Sequence, residues 1–304
     1  MNLNRKKIIS EFPWINEKNK FFIISADYDG LICASFLNHF LNWKLSGYYD
    51  MQKLWLSEDA LNNKEDLIWV DLNILPMKGK TIGGHIVSIN NETPKGFNSS
   101  CNPNILLNID SNNFKNKFPL STVLFLIWLH NIKIKDEFIA KLLILHADAV
   151  WLKNQHYSNN MLYWQNVLYD YNWNDLFYNV YTKTFEKKID QILYSEMKEI
   201  GAISNRSKLQ SKFLNIQSKE YICNPDWDDD IILKLFNIFG NHLGWTPPTL
   251  PFITKKIIGK REKVYLSEIK KIGLNKFIKK NKIFSYAVPS PRIFNYTTFK
   301  ETIK

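Results

Sequence analysis

Short apolar runs that end in polar residues recur through the first half of the chain: FFIIS (21–25), LIWVDL (67–72), TIGGHIVSI (81–89) and ILLNI (105–109). Each has the length and side-chain character of a buried strand. Between and after them lie stretches that read as helices: Leu31 to Trp43, Leu120 to Asn131 behind Pro119, and Asp136 to Trp151 with Asp136 as its N-cap. Strands alternating with helices predict an α/β fold with a parallel sheet flanked by helices. Past about Gln155 the texture changes. Tyr, Trp and Asn crowd residues 156–181, and a helix from about Thr182 to Ile200 is stopped by Gly201. The expected organisation is an α/β domain over 1–155, a helical connector over 156–204 and a smaller basic C-terminal domain over 205–304.

Composition narrows the class. The chain has 304 residues and 45% hydrophobic content, enough to fill a real core and to exclude a disordered chain. Its three cysteines, Cys33, Cys101 and Cys223, form no CxxC pair, so neither a disulfide framework nor a thiolate zinc site is expected. The N-terminus has no apolar signal region, and no apolar run approaches the roughly 20 residues of a membrane span. The expectation is a cytoplasmic protein with no membrane partner. Forty Lys and Arg against 29 Asp and Glu give a net charge of +11, which favours nucleic acid or nucleotides as partners.

The chemistry concentrates where apolar runs stop. In FFIISADYDG a buried strand is followed by Asp27 and Asp29, and Gly30 starts a helix. The carboxyl edge of an open α/β sheet is where ligands bind, and two adjacent carboxylates favour a hard divalent cation between them. Asp71 closes the strand LIWVDL, His85 follows the pair Gly83-Gly84, and Asp148 sits in the apolar stretch LLILHADAVW, an expensive place for a carboxylate without a charged partner. Singly, each has a plain alternative. Asp29 could cap the helix that opens at Gly30, Asp71 could end its strand in a turn, His85 could be a satisfied core histidine, and Asp148 could pair with a lysine.

In order and context these pieces resemble the DHH phosphoesterases, over roughly residues 20–151. The family includes single-strand exonucleases of the RecJ type, phosphodiesterases of small oligonucleotides and inorganic pyrophosphatases. The resemblance implies two manganese (or magnesium) ions that activate a hydroxide for attack on phosphorus. One ion would be held by Asp29, Asp71, His85 and Asp148, and the other by Asp27 with a shared Asp71. Asp27, Asp29, Asp71 and His85 would then carry catalysis. The chain departs from the pattern three times. The second ion's histidine falls on Ile23, and the family's Asp-His-His motif appears as Gly84-His85-Ile86, without its aspartate and its phosphate-contacting histidine. The resemblance therefore implies a metal-dependent phosphodiesterase acting on nucleic acid or oligonucleotides. The alternative is a catalytically impaired DHH-like subunit that binds nucleic acid or a protein partner, within a larger assembly.

The C-terminal part carries most of the charge. From Lys255 to Lys282 eleven Lys or Arg stand against Glu262 and Glu268, net +9 of the chain's +11. Here YLSEIKKIGLNKFIKKNKIF predicts two short helices around Gly273, followed by a hairpin and a last helix. The layout is similar to the winged helix-turn-helix of excisionase-type DNA-binding domains. It makes Lys270, Lys271, Lys276, Lys279 and Lys280 the candidate nucleic-acid contacts. A phosphate-contacting surface without base reading and a solvated lysine-rich face are the alternatives. Tyr265, Phe277, Phe284, Tyr286, Phe294 and Tyr296 interleave with the charge, as stacking platforms or as a small core. The run PDWDDD (225–230) precedes an apolar helix and reads as N-terminal charge capping.

Overall fold

The computed structural model describes residues 2–75, 79–204 and 208–300. The chain forms two compact units that interleave along the sequence. One, here the helical unit, comprises Met1–Arg5, Ala26–Phe40 and Pro119–Pro248; the other, the sheet unit, comprises Lys6–Ser25, Leu41–Phe118 and Thr249–Lys304. Stretches of the expected 1–155 domain contribute to both.

The protein is α/β, and among the described residues every strand belongs to the sheet unit. β1 (Phe21–Ser25), β2 (Lys44–Tyr49), β3 (Lys53–Ser57), β4 (Ile68–Val70), β5 (Lys80–Ile82), β6 (Ser100–Cys101) and β7 (Ile253–Ile258) form one sheet in the order β6-β5-β4-β1-β2-β3-β7. β1 lies parallel to β2 and β4, and β4, β5 and β6 continue the parallel run. The sheet is not wholly parallel, because β3 runs antiparallel to β2 and to β7. The turn between β2 and β3 is closed by Asp50, whose Oδ1 accepts from Gln52 N at 2.8 Å and Lys53 N at 2.6 Å. Gly47 makes the pairing possible, since a Cβ there would overlap the carbonyl of Trp55. Ile23, Tyr49, Leu54, Trp69, Leu72 and Ile74 pack into one apolar cluster of this unit.

The run ILLNI, expected as a strand, instead begins in the last residues of a short helix, Pro103–Leu106, and leaves it through a turn at Leu107 and Asn108. Asn102 caps it, accepting from Asn104 N at 2.9 Å, and Pro103 occupies the first turn, where its missing N–H is no loss. Local cap chemistry overrides the apolar run.

A second, three-stranded antiparallel sheet holds β8 (Lys260–Tyr265), β9 (Ile283–Ser290) and β10 (Ile293–Thr298) in the order β8-β10-β9. Helices Leu266–Ile272 and Leu274–Asn281 lie between β8 and β9 in sequence, separated by Gly273 at φ +90°. The two helices and the hairpin match the expected layout; the expected last helix falls on the chain end, where residues 301–304 lie outside the described ones.

In the helical unit, the stretch expected as one helix from Asp136 to Trp151 is two. Phe138–His146 stops, Asp148 and Ala149 take left-handed φ of +56° and +51°, and Val150–His156 resumes. Asp136 pairs with Lys141 at 2.8 Å and does not cap the helix, which begins after Glu137. The stretch 182–200 is helical as expected. Thr182 accepts from Phe185 N at 3.2 Å, a π turn over Ile189–Leu193 joins Lys183–Lys188 to Tyr194–Glu199, and Gly201 ends it at φ +81°. Asp229 and Asp230 occupy the first turn of Asp229–Leu243, where their charge complements the helix dipole. Among the described residues no helix is long and apolar enough to cross a membrane.

Candidate functional site

In the sheet unit, β1 ends at Ser25 and β4 at Val70, so Ser25 and Asp71 stand at the carboxyl ends of adjacent parallel strands. Asp71 is buried and holds φ at +60°, a conformation that non-glycine residues other than Asn and Asp rarely adopt. Its backbone N donates to Ile82 O at 2.7 Å. Its carboxylate is held on both oxygens. Ser25 Oγ donates to Oδ2 at 2.6 Å, and His85 Nε2 lies 2.8 Å from Oδ1. An ionised carboxylate only accepts, so the imidazole donates through Nε2 and Asp71 fixes its tautomer and ring plane. The glycines before His85 have a steric reason. A Cβ on Gly83 would sit 3.3 Å from the Asp71 Cα, and one on Gly84 would overlap the ring of Phe118. Two residues without side chains let the segment pass between Asp71 and Phe118 and deliver a half-exposed His85 to the carboxylate. Asn104 Nδ2 anchors it by donating to Gly84 O at 2.6 Å.

Asp27, Asp29 and Asp148 belong to the helical unit. Asp27, not Asp29, caps the helix Tyr28–Leu41: its Oδ1 accepts from Gly30 N at 3.2 Å. The segment 221–223 runs against it, with Tyr28 N donating to Tyr221 O at 2.9 Å and Cys223 N to Ala26 O at 3.1 Å. Asp29 is buried and serves a different helix, Thr122–Leu129. Oδ2 accepts from Thr122 N at 2.7 Å and Oδ1 from Val123 N at 3.1 Å, two of that helix's otherwise orphaned N–H groups. Asp148 Oδ2 pairs with Lys153 Nζ at 3.2 Å, and the neighbouring Ala149 N donates to Glu220 Oε1 at 2.8 Å. Burial would lower the Lys153 ammonium, but Asp148 and Glu220 outweigh it and the net shift is upward. Burial, then Asp148, pushes the Glu220 carboxyl well above the usual range, while Lys153 opposes them.

Of the expected ligands, Asp71 and His85 belong to the sheet unit and Asp27, Asp29 and Asp148 to the helical unit, where Lys153 feels Asp29 as well as Asp148 and Glu220 feels Asp27 as well as Asp148. The fold brings Asp71 and His85 together with Ser25, and Asp148 together with Lys153 and Glu220. Asp29 is committed to two backbone N–H groups and Asp148 to an ammonium, so a divalent ion at either would compete with partners already in place. Among the described residues no group of three or more His, Cys, Asp or Glu side chains could hold a metal ion. The positions where the chain departs from the phosphoesterase pattern are part of the packing: Ile23 and Ile86 are fully buried, and Gly84 lies against Phe118.

Of the candidate nucleic-acid residues, Lys271, Lys276, Lys279 and Lys280 are exposed, and the half-buried Lys270 donates to Asn112 Oδ1 at 2.6 Å. Sequence reasoning missed Ser25, Lys153 and Glu220. Ser25 had a signal, as the polar end of the FFIIS run, and so had Lys153, five residues after Asp148; Glu220 lies in irregular chain and had none. Comparison of the chain with protein-family models, with curated proteins and with solved structures returned no match.

Proposed function

We propose that this chain is a DHH-like protein that binds nucleic acid and has lost two-metal phosphodiester hydrolysis. The observation that carries this reading is the packing at the three departures. Position 23 faces the Trp69 and Leu72 cluster, position 86 is fully buried, and position 84 has no room for any side chain beneath Phe118. A histidine at 23 would place an imidazole in that apolar cluster, one at 86 would be fully buried, and an aspartate at 84 would overlap a ring. Lys153 adds to this support, because it supplies to Asp148 the positive charge that a metal would otherwise bring. The net +9 of the Lys255–Lys282 segment, within the sheet unit, supports a polyanionic partner.

A second reading, a manganese-dependent phosphodiesterase, is favoured by one observation. Asp71 keeps a left-handed backbone and holds a half-exposed histidine, and such outliers cluster at working sites. The two are separated by incubating the purified protein and its Asp71→Ala variant with end-labelled single-stranded DNA, RNA and dinucleotides in manganese. The proposal expects no product from either protein. Cleavage by the wild type that is lost in the variant overturns it and establishes the enzyme.

A further inference from the structure

The structure separates the aromatics of the basic segment into two kinds. Phe277 packs edge-on against Phe294 and Tyr296, at 5.9 and 5.6 Å between centroids, and Tyr286 stacks on Phe294 at 4.6 Å. These rings are the core between the three-stranded sheet and its two helices. Tyr265 is not part of it: it stands 64% exposed at the end of β8.

Strand alternation decides its neighbours. On β8, Val264 and Glu262 pair with Phe294 and Tyr296 of β10 and share their core-facing side, and Tyr296 Oη donates to Glu262 Oε2 at 2.5 Å. Arg261, Lys263 and Tyr265 take the opposite side, and all three are exposed. The single acidic residue of the strand is therefore turned away from them and is held by Lys260 as well. β8 is also an edge of its sheet, paired only to β10. Edge lysines by themselves guard a strand against pairing with other chains. A tyrosine held in the open beside them does not serve that purpose.

The helix pair is a weaker reader than its layout suggests. Helix-turn-helix proteins contact base edges with the first residues of the second helix. Here the first turn of Leu274–Asn281 is taken by the loop 92–95: Asn275 N donates to Glu92 Oε2 at 3.0 Å, Asn275 Nδ2 to Thr93 O at 3.0 Å, and Lys95 N to Asn275 Oδ1 at 3.1 Å. A carboxylate covers the end that would meet the bases.

We infer that the open face of β8 binds single-stranded nucleic acid, with a base stacked on Tyr265 and the backbone phosphates on Lys263 and Arg261. A single strand has exposed base faces that an aromatic can take, whereas a duplex hides them. The inference rests on the nucleic-acid-binding reading above and names the surface and the strandedness.

The test is fluorescence anisotropy with a labelled 20-nucleotide single strand and its duplex, in chelator, across a salt series. It uses the full chain and the variants Tyr265→Ala, Tyr265→Phe, Arg261→Ala/Lys263→Ala and Lys276→Ala/Lys279→Ala/Lys280→Ala. Tyr265→Ala weakens single-strand binding by roughly tenfold or more, and Tyr265→Phe restores it. The Arg261/Lys263 variant flattens the salt slope by about one to two units for the single strand. If Tyr265→Ala binds like the wild type while the helix-lysine variant loses affinity, this inference is overturned and nucleic-acid binding stands. If the wild type binds neither single strand nor duplex, both fall.

Discussion

Two carboxylates of the same expected ligand set, the buried Asp71 in the sheet unit and the part-buried Asp148 in the helical unit, have been given opposite kinds of partner. In the sheet unit Asp71 is held by a hydroxyl and an imidazole, neither of which brings a permanent charge. In the helical unit Asp148 is held by an ammonium that its surroundings keep protonated. Both sit on left-handed backbone, at φ +60° and +56°. The difference teaches what each site can still do. Asp71 is fixed by partners that bring no permanent charge, whereas Asp148 has its cation built into the next helix.

The contrast can be broken by substitution. Gly84→Asp, which introduces the aspartate of the phosphoesterase pattern, should have the largest effect, destabilising the protein by about 3 kcal/mol or more through overlap with Phe118 and a buried carboxylate. Adding Phe118→Ala should recover the overlap component. Denaturant unfolding measures both, and a stable Gly84→Asp protein would refute the packing account of Gly84.

Lys153→Met should come next. Removing the ammonium leaves Asp148 and Glu220 without their countercharge, and a loss of about 2–4 kcal/mol follows for a pair that is about three-quarters buried. The Glu220 carboxyl should rise further, so the variant's deficit should grow with pH. A deficit that is flat with pH would remove Lys153 from its assigned role. The counterpart in the sheet unit, Asp71→Asn, should lose only about 1 kcal/mol, because asparagine tolerates the left-handed backbone and its amide oxygen still accepts from His85. Equal losses from the two changes would erase the contrast.

An effect that shows only in acid comes from His146. Its ring is fully buried between Tyr28 and Tyr194, neither ring nitrogen has a partner, and burial lowers its pKa to about 3. Its pKa is lower folded than unfolded, so the unfolded chain takes up the proton first. Stability should fall as pH drops from about 6.5 toward 3, by about 1.4 kcal/mol per pH unit at most. His146→Phe should flatten that slope in acid-unfolding curves.

Much of the sheet was legible because its strands are continuous apolar runs: β1 and β4 lie where FFIIS and LIWVDL place them. β2 and β3 were hidden, since KLSGYY and KLWLS mix polar and apolar residues and their pairing depends on Gly47 meeting Trp55. The break at Asp148 was hidden for another reason. Ala149 N finds its acceptor in Glu220, 71 residues away, and no local pattern announces such a partner. The candidate site was half legible. The proximity of Asp71 and His85 follows from their places at strand ends, but Asp29's service to the helix at Thr122 depends on a contact across 93 residues. In the basic segment, charge was plain from the letters, while which aromatic faces outward was settled only by the pairing of β8 with β10.

The central claim is that nucleic acid is bound without metal chemistry. The most direct test titrates a labelled single strand with the full chain in parallel, once in chelator and once in manganese, and follows affinity and strand integrity together. The account predicts one salt-sensitive affinity in both conditions and an intact strand. Affinity that depends on manganese, or a strand shortened only when manganese is present, would contradict it.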